Sequence, residues 1–349
     1  MRSYQMKSFG APLDAAETPT PAAPAGTEVL LRVTSCGVCH SDLHLRDGYF
    51  ELGGGKKLDL SRGIPLPHVL GHEIVGTVIA IGPQASGVKL GDKRVAYPWI
   101  GCGVCSVCAS GHEELCAKPR ALGVNVAGGY ADHVIVPHPR YLFEFGDVPE
   151  ELACTYACSG LTAYGALRKV TPLGSGDPLV IIGAGGVGLA GIRLAKLVTG
   201  VAPIVADIDE GKRAAAIEAG AVSTLDPSEK DAAKNLIKAT GGVAAAIDFV
   251  GAESSARFGF DVLRKGGKLV AVGLFGGAFS TALPMFPLRA VTIQGSYVAT
   301  LAEMGELMAL ARAGEIEPIP VSPRPLEAAE ASLQDLKAGR ILGRAVLKP

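Results

Sequence analysis

The apolar positions change rhythm once along the chain. Across the first 145 residues they fall in short β-branched runs: Val29–Val33, Ile74–Ile81, Arg94–Tyr97 and Tyr130–Val136. Gly and Pro punctuate these runs, a pattern that predicts strands. No amphipathic helical stripe is legible between them. This part therefore reads as mostly β, a partly open barrel or folded sheet with long loops. Residues 11–26, rich in Pro and Ala, predict an extended surface segment.

Helical spacing then takes over. Glu150–Lys169 predicts a helix entering a second domain, and Leu179–Ile182 a short buried strand. Helices are expected at Val187–Val198, Gly211–Ala219, Lys230–Ala239 and near Ser254–Leu263. Strands are expected at Ile204–Val205, Ala245–Val250, Lys268–Val272 and Val291–Gln294. Such alternation is the pattern of a doubly wound parallel sheet, so the fold class is α/β. Two further helices, Leu301–Ala313 and Leu326–Leu336, are expected to return to the first domain. The expected boundaries are 1–155, with a cysteine-rich lobe at 100–118, then 156–296, then 297–349.

Composition narrows the function classes. With 349 residues, 48% hydrophobic and 19% charged, the chain reads as globular with more than one core. A net charge of −1 gives no basic field for nucleic acid or an anionic membrane. No apolar run nears the roughly 18 residues a bilayer span needs. The first ten residues lack the apolar core of a signal peptide, so a cytoplasmic protein is expected. Eight cysteines in that setting point to thiols kept for metal or catalysis.

Four of those cysteines, Cys102, Cys105, Cys108 and Cys116, are spaced C-x2-C-x2-C-x7-C. Four thiolates so close fit a closed tetrahedral zinc site of structural type. An iron–sulfur cluster is the rival reading, although its bacterial run ends differently, with three residues before a Cys–Pro. Elsewhere, Cys36–His44 packs two cysteines, two histidines, a serine and an aspartate into nine residues. It is expected in the loop leaving the first strand run. Cys39 from it, His72 from Gly71-His72-Glu73, and Cys158 at the entrance to the second domain would make a Cys2His set. Such a set leaves a fourth metal position open, as catalytic zinc requires. Taken singly, each of the three also reads as an ordinary core or surface residue.

Gly183, Gly185 and Gly188 form G-x-G-x-x-G after an apolar strand and before a helical run. That context suits a dinucleotide pyrophosphate at a helix N-terminus. The same spacing recurs at Gly186, Gly188 and Gly191, where the context is missing. Asp207, 24 residues past Gly183, would accept the adenosine ribose hydroxyls and favour NAD over NADP. Lys212 and Arg213 can also reach the adenosine end, which leaves NADP open.

Together these pieces resemble the zinc-dependent alcohol dehydrogenases of the medium-chain dehydrogenase/reductase superfamily. The likeness is carried by Gly37–Asp42, Gly71–Glu73, the four-cysteine lobe, Cys158–Thr162, and the Gly183 turn with Asp207. It implies a GroES-like, mostly β catalytic domain and a Rossmann NAD-binding domain. It implies two zinc ions per chain, the catalytic one held by Cys39, His72 and Cys158. Cys158 departs from the polyol dehydrogenases, which carry a carboxylate there, and the zinc-free quinone reductases lack the ligands. Tyr49 to Pro67 and Tyr97–Cys102 are also similar to the 6-hydroxyhexanoate dehydrogenase-like group.

The expected reaction is reversible oxidation of an alcohol to an aldehyde or ketone. Ser41 then takes the departing proton and His44 passes it to water, with the nicotinamide ribose hydroxyl between them by family likeness. His40 resembles a pyrophosphate contact, Asp42 a partner orienting His72, and Glu73 a carboxylate behind the zinc. Gly186, Thr162 and Val187 complete the cofactor set. Phe50, Trp99, Leu274 and Tyr297 are candidate pocket walls and suggest a primary alcohol with an apolar or aromatic body. Each of these residues also has a plainer reading as a cap, loop or core side chain. The alternative function is an NADP-dependent aldehyde, quinone or activated double-bond reductase of the same superfamily. A small molecule is the only substrate expected, with no nucleic acid or membrane partner, and the chain is expected to form a homo-oligomer, a dimer or tetramer. Cys36 and Cys154 receive no role.

Overall fold

A computed structural model describes residues 1–349. The chain divides into two compact units. One comprises Met1–Tyr49, Asp59–Leu161 and Thr300–Pro349; the other comprises Phe50–Leu58 and Thr162–Ala299. No helix is long and apolar enough to cross a membrane.

The first unit is built around the strand Val29–Gly37, buried along nearly its whole length. It pairs antiparallel with Glu73–Ile81, His133–Val136 and Arg344–Lys348. Beyond Glu73–Ile81 the sheet continues through Lys93–Ala96 to Leu142–Phe143. Its other edge is Val321–Pro325, parallel to Arg344–Lys348. A second, smaller sheet joins Asp14–Glu17, Arg2–Met6 and His68–Val69. The register Gly37↔Glu73 matters for the site. It brings the residues just after one strand beside those just before the other.

Two expectations need correcting here. The Cys36–His44 stretch is not a loop. Cys36 and Gly37 end the strand, and His40–Asp47 is a helix. Its start is fixed by the Asp42 carboxylate, which accepts the Cys39 N–H at 2.9 Å. Its end is Gly48, at φ 81°, where a left-handed residue closes the last turn. Nor is Glu150–Lys169 one helix. Glu150–Ala153 and a 3-10 turn at Cys154–Ala157 stop at Cys158, which has φ −134° and ψ −72°. A new helix, Ser159–Arg168, starts there. Its first N–H, at Ser159, donates to the Glu73 carboxylate at 3.1 Å, so a buried acid serves an otherwise orphaned donor.

The second unit holds a six-stranded, wholly parallel sheet. Its strands are Leu179–Ile182, Ile204–Ala206, Ser223–Leu225, Val243–Asp248, Leu263–Ala271 and Thr292–Gly295. In space they run third, second, first, fourth, fifth, sixth. Leu179–Ile182 is buried at every position, as a strand covered on both faces must be. The core gathers Val180, Ile182, Ala246, Phe258, Phe260 and Leu269. Strand order reverses beside Leu179–Ile182, the place where open α/β sheets take their ligands.

Candidate active site

Cys39, His72 and Cys158 meet in the first unit, each buried, with their ligand atoms within 4.8 Å of one another. Strand register delivers the first two. The helix break delivers the third. The Cys39 thiol is pushed well below its usual range, first by a hydrogen bond from Cys158 and then by His72. His72 is fully buried, and its Nε2 has no hydrogen-bond partner. A buried, unsatisfied imidazole nitrogen facing thiols is a place for a cation.

Asp42 sits below this set with no solvent exposure. Its Oδ1 lies 3.2 Å from His72 Nδ1, a close contact rather than an aligned hydrogen bond. Its Oδ2 accepts the Cys39 N–H and the Tyr130 hydroxyl, both at 2.9 Å. The Glu73 carboxylate faces Arg344 Nη2 at 2.5 Å, with both side chains buried. Gly37 makes room for it, since a Cβ there would lie 1.9 Å from Glu73 Oε2. Burial raises Glu73 above the usual carboxylate range, against the pull of Arg344. Trp99 completes this side. Its Nε1 donates to the Ala157 carbonyl at 3.0 Å and its ring stands 5.2 Å from the His72 ring.

Ser41 and His44, three residues apart on the helix His40–Asp47, share a face and are half-buried. Burial lowers His44 below its usual value, and Cys39 and Asp47 pull the other way. His40 is exposed at the first helical position. Arg344 and Tyr130 were not singled out from the sequence. The one signal for Arg344 was a guanidinium at the head of an apolar run, Arg344-Ala-Val-Leu347. Cys36 and Cys154 are fully buried, both thiols are raised by burial, and neither joins a ligand set.

The four-cysteine lobe closes on itself. Sulfur–sulfur distances are 3.5 Å for Cys105–Cys108, and 3.9 Å for both Cys102–Cys108 and Cys105–Cys116. Zinc–sulfur bonds of ~2.3 Å in a tetrahedron set edges of about 3.8 Å. The spacing therefore fits zinc. Backbone amides of Val104 and Cys105 lower the Cys102 thiol to about 6. Desolvation instead lifts Cys108 to about 12.

In the second unit the strand Leu179–Ile182 runs into Gly183, at φ 90°, and the helix Gly186–Thr199. A Cβ at Gly188 would lie 1.9 Å from the Gly183 carbonyl oxygen, so only glycine permits this close turn. A Cβ at Gly185 would meet nothing within 4 Å. The turn thus leaves an open cradle at a helix N-terminus, with Gly186 and Val187 on its first turn. Asp207 directly follows the neighbouring strand Ile204–Ala206 and is buried. Its two oxygens accept the N–H groups of Ala184 (2.7 Å) and Asp209 (2.9 Å). Two of its roughly four acceptor sites stay available for hydroxyls. Lys212 is half-buried on the next helix. Thr162 Oγ1 is buried without a partner. Of the candidate pocket walls, Phe50, Leu274 and Tyr297 belong to the second unit and Trp99 to the first.

A family model described as the alcohol dehydrogenase GroES-like domain matches residues 25–147. A second, described as zinc-binding dehydrogenase, matches residues 186–313. The NAD-dependent alcohol dehydrogenase of Sulfurisphaera tokodaii is 37% identical over 352 residues, with all of both chains covered. That of Saccharolobus solfataricus is 36% identical, again over all of both chains. The crystal structure of the alcohol dehydrogenase from Aeropyrum pernix superposes with a TM-score of 0.90 at 29% identity, covering 100% of each chain. An α/β chain pairing a GroES-like unit with a six-stranded Rossmann sheet, similar end to end to such enzymes, belongs to the zinc-binding, NAD-dependent alcohol dehydrogenases of the medium-chain dehydrogenase/reductase superfamily.

Proposed function

We propose that alcohol oxidation takes place at a zinc ion held by Cys39, His72 and Cys158. The observation carrying this reading is the convergence of two buried thiols on a buried imidazole nitrogen that has no hydrogen-bond partner. When bound, zinc would supply Lewis-acid polarisation of the alcohol oxygen, and NAD would supply a hydride acceptor. The chain's own residues do the rest. Asp42 faces His72 Nδ1 and so turns Nε2 toward the thiols. Ser41 takes the alcohol proton at Oγ, and the His44 imidazole receives it. Glu73, paired with Arg344, backs the residues that would hold the metal. Cys102, Cys105, Cys108 and Cys116 hold a second, structural zinc.

Gly183, Gly185, Gly186 and Gly188 take the pyrophosphate. Asp207 and Lys212 take the adenosine ribose, and Thr162 and Val187 the nicotinamide. Trp99, beside His72 in the first unit, would face the substrate, which favours a primary alcohol with an apolar or aromatic body. The first unit is the catalytic domain and the second the NAD domain. Reduction of quinones or activated double bonds with NADP is not favoured, since the relatives are NAD-dependent alcohol dehydrogenases. A homo-oligomer is supported by the open edge strand Thr292–Gly295 and the exposed Leu283 and Leu288 before it. Eight free cysteines support a reducing, cytoplasmic setting.

Metal analysis of the purified chain should return two zinc ions per subunit. NADH formation should be fastest on primary alcohols with apolar or aromatic bodies and slow on polyols. One zinc per chain, or turnover that survives complete zinc removal, would contradict the reading.

The proton path gives a separate test. His44 lies below its usual value, so near neutrality it is uncharged and able to accept a proton. His44→Gln should slow oxidation at neutral pH by about 100-fold, the low side of what a placed proton acceptor supplies. The deficit should shrink as pH rises and hydroxide replaces the imidazole. A pH profile parallel to that of the unaltered enzyme would rule out the relay.

A further inference from the structure

We propose that Asp226 is a specificity residue that keeps the enzyme selective for NAD by holding Arg213 out of reach of a 2′-phosphate. The inference rests on reading Asp207 as the ribose carboxylate. Arg213 lies on the helix Glu210–Glu218, just past that carboxylate. Its Nη1 donates to the Asp207 main-chain carbonyl at 2.8 Å and stands 3.5 Å from Asp226 Oδ2. Both side chains are about one-fifth exposed, at 21% and 19%. A guanidinium within one residue of the ribose site is the chemistry that recognises a 2′-phosphate, through paired N–H donors. Here Nη1 is turned to the Asp207 carbonyl and toward the Asp226 carboxylate, which fixes the direction of the guanidinium.

The holder is itself fixed. Asp226 follows the strand Ser223–Leu225, whose last carbonyl accepts the Asp207 N–H at 3.2 Å. Asp226 Oδ1 accepts both the N–H (2.8 Å) and the hydroxyl (2.6 Å) of Ser228. That leaves Oδ2 for Arg213. Ser228 first, and Arg213 after it, hold the Asp226 carboxyl below the usual carboxylate range, so it is charged at neutral pH. Two negative groups thus oppose a 2′-phosphate. Asp207 repels it directly, and Asp226 occupies the cation that would bind it. Exchanging Asp207 alone removes only the first obstacle.

The test compares NADH and NADPH dissociation constants, by nicotinamide fluorescence, in the zinc-loaded enzyme. Asp207→Ser should weaken NADH about 10-fold, or ~1.4 kcal/mol. Asp207→Ser/Asp226→Asn should then bind NADPH about 10-fold tighter than Asp207→Ser alone. The gain should vanish when Arg213→Leu is added, and should not appear with Asp207→Ser/Asp226→Glu, which keeps the holding charge. Asp226→Asn by itself should narrow the NADH-to-NADPH affinity ratio, which keeps the idea testable where the double variant folds poorly. Equal NADPH affinity in the single and double variants, or a gain that survives loss of Arg213, overturns the proposal. Unchanged NADH affinity in Asp207→Ser overturns the ribose reading and the proposal with it, and is distinguishable because it shows in the first variant.

Discussion

Replacing Cys39 or His72 with alanine is expected to lower alcohol turnover by about 1,000-fold or more, ~4 kcal/mol of transition-state stabilisation. Each removes one of three ligands from a buried set whose ligand atoms lie within 4.8 Å. No neighbouring side chain offers an equal replacement. Glu73 is already paired with Arg344, and Cys36 and Cys154 lie outside the set. With two ligands left, the zinc is lost or misplaced, and with it the Lewis-acid assistance worth several kcal/mol. Zinc content should fall from two ions to one per chain, because the four-cysteine lobe is a separate group. NADH should still bind, because the glycine turn and Asp207 belong to the other unit. Full activity with two zinc ions retained in either variant would remove these residues from the metal site.

The spacing of the lobe cysteines and the strand–helix alternation after Leu179 were readable because both are local. Four thiols within fifteen residues have few ways to fold apart. A buried parallel strand leaves a continuous apolar run. What escaped was set by distant partners. The helix His40–Asp47 is only eight residues long and buries Asp42 and Arg46, so it shows no apolar stripe. Val321–Pro325 carries two prolines and does not read as a strand, yet it is tolerated as the outer edge of its sheet. The helix that starts after Cys158 has its first N–H, at Ser159, held by a carboxylate 86 residues away. Likewise, the residues holding the metal ligands in place were partly invisible. Asp42 stood within the ligand-rich stretch, whereas Arg344 and Tyr130 reach the site only through sheet pairing and a turn.

Arg344→Met is expected to destabilise the folded chain by about 3–5 kcal/mol, the usual result of stripping one partner from a buried ion pair. Glu73 has no solvent exposure, and Arg344 only 3%. Removing the guanidinium leaves the carboxylate beside Cys39 and Cys158, two groups that Arg344 also faces. Methionine fills the space of the side chain's stem, so the loss is mainly electrostatic. Glu73→Gln should cost less, because its amide oxygen can still accept the Ser159 N–H that Glu73 Oε1 holds at 3.1 Å. The double variant Glu73→Gln/Arg344→Met should then be more stable than Arg344→Met alone, with a coupling energy of roughly 0.5–3 kcal/mol. Thermal and denaturant midpoints of the zinc-loaded enzyme measure all three. A loss below about 1 kcal/mol for Arg344→Met, in the range of an exposed pair, would mean that water reaches this pair. Additive single-variant losses would mean that Glu73 and Arg344 act apart, and the backing of the metal ligands would then rest on Asp42 and Tyr130.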